Sequence, residues 1–115
     1  MTSLDEFRAG SAPGPVSFIK IDVQGYELAV CEGMVQTLAE NPRAAVAIEY
    51  APKSLRDLGF EPQRLLEFFR DRGYTPHIIY KSGRTEPTDD AGIEDGVRRW
   101  SYLNLLFLSL SSSPR

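Results

Sequence analysis

Cysteine, histidine and tryptophan each occur once in these 115 residues, and the first two scarcities exclude whole classes of chemistry. A lone Cys31 forms no internal disulfide, and one cysteine with one histidine cannot supply a Cys/His zinc set. Cys31 has no neighbouring partner that would lower its pKa, so it reads as a small packed hydrophobe. The 13 basic residues are outnumbered by 16 acidic ones, for a net charge of −3. Without a concentrated basic surface, a nucleic-acid partner is not expected. No stretch approaches the ~20 apolar residues of a membrane span, so no membrane partner is expected either. The opening "MTSLDEFRAG" lacks the basic-then-apolar order of a secretory signal, which makes a cytoplasmic protein the expectation. The nine glycines never fall into G-x-G-x-x-G, a phosphate-binding G-x-x-x-x-G-K-[ST] loop or a G-x-S-x-G nucleophile elbow.

What is present suits one small α/β domain. At 42% hydrophobic and 25% charged residues the composition is that of a globular protein with a single core. After Gly10, Pro13, Gly14 and Pro15, the run "VSFIKIDV" predicts a strand that ends before Gly25. From Tyr26 the spacing turns helical, with Leu28, Cys31, Val35 and Leu38 on one face, a break at Gly33 and a stop at Pro42. "AAVAIEY" is a short apolar run of the kind expected in a parallel sheet covered on both faces. "APKSLRDLGF" connects it to a helix over "PQRLLEFFRDRGY", which starts at Pro62 and stops at Gly73. "TPHIIY" predicts a third strand, with His77 a strand residue near the sheet edge. Lys81 to Arg99 read as a long loop or flap, and "WSYLNLLFLSL" as the last strand. The expected order is three parallel strands joined by right-handed crossovers, with the last strand inserted antiparallel.

A strand of this kind has little reason to carry Lys20 and Asp22. Alternation places Phe18, Lys20 and Asp22 on one face, and Glu49 alternates in the same way on the next strand. If the two strands are neighbours, Lys20, Asp22 and Glu49 share a face near the carboxyl ends, where open α/β sheets bind ligands. One reading is a self-neutralising buried pair, but such pairs seldom repay their desolvation. The other is chemistry, with Asp22 nearest the ligand and Tyr26 and Glu27 lining the mouth. A divalent ion between Asp22 and Glu49 is a lesser alternative, and no metal is expected.

The segments "TSLDEF", "FIKIDVQGYELAVCEGM", "AVAIEY" and "LNLLFL" together resemble the C-terminal half of FkbM-family methyltransferases. The family's Lys, Asp, Gly and Glu fall on Lys20, Asp22, Gly25 and Glu27, whereas Gln24 replaces the usual glutamate. The resemblance implies a partial Rossmann-like sheet, mostly parallel, supplying the fourth to seventh strands over residues 1–110, with a disordered tail at 111–115. It implies O-methylation of a small-molecule hydroxyl by S-adenosylmethionine, with Asp22, Glu49 and Lys20 catalytic and Tyr26 and Glu27 binding substrate. The family's glycine-rich turn and ribose-binding acid have no counterpart ahead of Thr2, so the cofactor-binding half is expected to be missing and the chain inactive alone. Three explanations follow: a truncated enzyme; a non-catalytic α/β module that self-associates or pairs with the missing half; and a start upstream of Met1.

Overall fold

The computed structural model describes residues 18–21 and 27–109. Its elements are β1 (Phe18–Ile21), α1 (Glu27–Glu32), α2 (Val35–Glu40), β2 (Ala45–Tyr50), α3 (Pro52–Asp57), α4 (Pro62–Arg70), β3 (Tyr74–Ile79), β4 (Thr85–Pro87), α5 (Asp90–Trp100) and β5 (Leu103–Ser109). The strands form one open sheet in the order β1-β2-β5-β3-β4. β1 and β2 pair in parallel, while β2–β5, β5–β3 and β3–β4 are all antiparallel. The sheet is therefore mostly antiparallel, not mostly parallel as the sequence led us to expect. The reason lies in β5, whose Leu103, Leu105 and Phe107 are buried. It wedges between β2 and β3 and separates two strands that run the same way.

The core lies on one side of this sheet. Ile21, Val46, Ile48, Tyr50, Tyr74, Leu103, Leu105 and Phe107 pack there against Leu28, Cys31, Leu65 and Phe69 from the helices. The alternate positions, Phe18, Lys20, Glu49, His77, Asn104, Leu106 and Leu108, are outside that cluster and all keep some exposure. Coverage of β2 on both faces is thus corrected: among the described residues the helical layer covers one face only.

Helix α4 shows why local sequence succeeds. Pro62 occupies its first turn, Leu65, Leu66, Phe68 and Phe69 are buried along one stripe, and Gly73 leaves the helix at a φ of +81°. Phe69 is fully buried and stacks on Phe107, with ring centroids 4.0 Å apart. Phe68 and Tyr74 meet the same ring edge-on at 5.2 and 5.6 Å. The break expected at Gly33 separates α1 from α2, and the 51–60 connection contains α3.

The expected loop over Lys81 to Arg99 is instead a β3–β4 hairpin followed by helix α5. Asp89 caps α5, its carboxylate accepting the Gly92 N–H at 2.9 Å, with Asp90 in the first turn and Arg98 and Arg99 in the last. Two interior glycines, each costing about 1 kcal/mol of helix propensity, mask the pattern. Gly96 has a packing reason: a Cβ there would lie 2.8 Å from the Leu103 methyl carbons, so its absence lets α5 approach β5. Arg70 and Asp90 form an ion pair linking α4 to α5. Among the described residues, no helix is long and apolar enough to cross a membrane.

Cys31 is buried in the core on α1, and burial, reinforced by the Glu27 carboxylate, pushes its thiol pKa far above the usual range. Thiol-reactive dye at mildly alkaline pH is expected to leave native Cys31 unlabelled and to label it stoichiometrically in denaturant. Rapid native labelling would contradict this packing.

Candidate functional site

The parallel register sets Lys20 beside Ala47 and Ile21 beside Ile48. The sequence-based condition for assembling a site, that these two strands be neighbours, is therefore met. Glu49 lies two residues beyond Ala47 on the same open face, next to the carboxyl end of β2. Across the antiparallel β2–β5 ladder its partner is Asn104. Lys20, Glu49 and Asn104 line a single cleft of about 310 Å³, with Ala47, Ile79 and the edges of Ile21 and Ile48 as its apolar walls. The arrangement offers an ammonium donor, a carboxylate acceptor, and an amide that both donates and accepts.

The remaining sequence candidates divide. Asp22 and Tyr26 lie outside the described residues. Glu27 opens α1 and is only 2% exposed, so it sits in the packed layer and does not line this cleft. Asn104 was not foreseen as a site residue, although a legible signal existed: it interrupts the apolar run "LNLLFL" with a side chain that strands disfavour. His77 belongs to β3, where its Nδ1 lies 3.1 Å from the Thr75 carbonyl. Among the described residues no cluster of His, Cys, Asp and Glu has the makings of a metal site.

A larger cleft of about 620 Å³ lies on the helical side between α3, α4 and α5, with Tyr50, Arg56, Glu61 and Arg98 in its wall. Burial pushes the Tyr50 phenol up to about 12 from its ordinary 10.0, with Arg56 opposing the shift and Asp90 adding to it. The folded state therefore holds this proton more tightly than the unfolded chain. The resulting stability is fully present below about pH 10 and lost as pH rises towards 12. Alkaline unfolding followed by circular dichroism is expected to show this loss, and Tyr50→Phe to flatten it. Equal alkaline slopes in the two proteins would contradict it.

Among the described residues, no glycine lines the Lys20–Glu49–Asn104 cleft. The described glycines of positive φ, Gly59, Gly73 and Gly83, follow α3, follow α4 and turn the β3–β4 hairpin. A cofactor such as S-adenosylmethionine needs a close backbone approach at a strand-to-helix turn and an acid for its ribose. Among the described residues, Gly59, Gly73 and Gly83 stand at other turns and do not supply that approach. The donors and acceptor of the cleft suit a small hydroxylated molecule.

Fold and cleft thus define an α/β unit with one open sheet and a cleft at the carboxyl ends of its parallel strands that holds Lys20, Glu49 and Asn104. The Methyltransferase FkbM domain family model matches residues 1–76, and the chain belongs to that family. The matched residues include Lys20, Asp22, Tyr26, Glu27 and Glu49, whereas Asn104 lies beyond them. No curated protein and no solved structure gives a match.

Proposed function

We propose that the chain forms the acceptor end of an S-adenosylmethionine-dependent O-methyltransferase of the FkbM type, with the cofactor's cradle supplied from outside the described residues. The observation that carries this reading is the shared cleft: Lys20 and Glu49, from two separate stretches of the family-matched region, line one cavity at the carboxyl ends of β1 and β2. The strand order lends further support. β1, β2 and β3 run one way and β5 runs the other between the last two, as in the second half of a Rossmann-like methyltransferase sheet. Glu49 accepts the proton of the acceptor hydroxyl, Lys20 fixes the local carboxylates, and Asp22, on the sequence pattern, orients the reacting group. On the sequence pattern Tyr26 completes the substrate side, whereas Glu27, packed in the helical layer, takes no part in it. The described residues account for the acceptor end only. Methyl transfer to a small alcohol, compared between the native protein and Asp22→Asn, each combined with the polypeptide that carries the glycine-rich half, tests the assignment. A fall of at least about a hundredfold is expected, and undiminished turnover would remove Asp22 from the mechanism.

The open sheet face favours a second, compatible reading as a pairing module. Phe18, 56% exposed, and the partly exposed Leu106 and Leu108 leave on that face an apolar surface of the kind a partner covers. In this reading the occupant is the polypeptide segment that carries the glycine-rich half. Sedimentation of the chain with and without that segment is expected to show a one-to-one complex. A chain that stays monomeric at every concentration in its presence would contradict the pairing.

A further inference from the structure

The 620 Å³ cleft between α3, α4 and α5 is separate from the one that holds Lys20 and Glu49, because Tyr50 projects to the core side of β2 and Glu49 to the open side. Tyr50 is only 5% exposed, yet among the described residues its hydroxyl has no hydrogen-bond partner. The oxygen is not sealed off, so it opens into the cleft that the residue lines. A polar group set so deep ordinarily has a partner. Arg56 of α3, Glu61 at the start of α4 and Glu94 of α5 line the same cleft. Among the described residues none of these three side chains has an ion-pair or hydrogen-bond partner, whereas Asp90 and Arg98 in the same wall are engaged by Arg70 and Asp95. After burial, Arg56 is the strongest influence on the phenol, ahead of Asp90, Glu61 and Glu94, so the guanidinium and the hydroxyl are neighbours.

The balance of charge narrows the ligand. Two arginines face three carboxylates across the cleft, so a phosphate would meet Glu61, Asp90 and Glu94, and a simple amine would meet Arg56 and Arg98. A small zwitterion satisfies both signs at once. A carboxylate accepts from the Arg56 guanidinium and the Tyr50 hydroxyl, and an ammonium donates to the free carboxylates. Leu66, Ile93 and Val97 supply an apolar wall for a third substituent. We propose that this cleft is a binding site for a free apolar α-amino acid, with Arg56 and Tyr50 holding its carboxylate and Glu61 and Glu94 its ammonium. The site is independent of the acceptor end and of the methyl-transfer reading.

The test titrates the whole isotopically labelled chain at neutral pH with leucine and, separately, with isocaproate, which lacks the ammonium, isoamylamine, which lacks the carboxylate, and inorganic phosphate. Leucine is expected to shift the backbone signals of Tyr50, Arg56 and Ile93 saturably in NMR spectra. It should bind about ten- to a hundredfold more tightly than either truncated analogue, the worth of one charge-assisted contact. Arg56 is exposed, so Arg56→Gln keeps the fold, and in that variant leucine should bind no better than isoamylamine. In the double variant Glu61→Gln, Glu94→Gln it should bind no better than isocaproate. Equal binding of leucine and its analogues, tighter binding of phosphate, shifts confined to other surfaces, or an unchanged preference in Arg56→Gln would each overturn the proposal. Failure of methyl transfer would leave these results untouched.

Discussion

Phe69→Ala is expected to destabilise the protein by about 3–5 kcal/mol, a large part of the roughly 5–15 kcal/mol that stabilises a domain of this kind. The ring is fully buried and contributes to three aromatic contacts, stacking on Phe107 of β5 and meeting Phe68 and Tyr74 edge-on. Its removal strips apolar area from the core and leaves a cavity where α4 meets the sheet. The void cannot close easily, because its neighbours are held by α4 itself and by two adjacent strands, β5 and β3. Tyr74 is further tethered by its hydroxyl, which donates to the Ala44 carbonyl at 3.2 Å. Urea denaturation measures the effect as a fall in the transition midpoint. Phe18→Ala, at a position 56% exposed, serves as the control and should change stability by less than about 1 kcal/mol. Similar midpoints for the two variants would mean that the core is not centred on Phe69.

Glu49→Gln is expected to lower methyl transfer, assayed with the glycine-rich half present, by about 10²–10⁴-fold with little change in folding. The substitution preserves shape and most hydrogen bonding but removes the carboxylate proposed as the base, and Glu49 is only partly buried, so little stability is at stake. Lys20→Met should have a smaller effect on rate, because the role proposed for Lys20 is positioning. A Glu49→Gln enzyme of native activity, with native circular dichroism, would assign the proton transfer to another group.

Sequence was most informative where a side-chain pattern and a backbone signal agreed. Pro62, Gly73 and the four buried apolar residues between them define α4 without help from the rest of the fold. Alternation likewise placed Lys20 and Glu49 on one face, and only the adjacency of their strands had to come from the structure. Elsewhere non-local packing decided the outcome. Gly92 and Gly96 made α5 look like a loop, because Gly96 answers to Leu103 across the α5–β5 contact and not to helix propensity. The central position of β5, which turns the sheet mostly antiparallel, follows from competition for strand edges that no single segment encodes. Asn104 was visible as a polar residue in an apolar strand, yet its meaning required the register that sets it opposite Glu49. The expectations for Asp22 and Tyr26 rest on the sequence pattern alone.

The central claim is that these residues supply the acceptor end while the cradle for S-adenosylmethionine lies elsewhere. Isothermal calorimetry of the chain with S-adenosylmethionine, first alone and then with a polypeptide carrying the glycine-rich half, tests this most directly. The expected result is no saturable heat from the chain alone and one-to-one binding once that half is present. Saturable binding of S-adenosylmethionine by the chain alone, abolished by Glu49→Gln, would contradict the account.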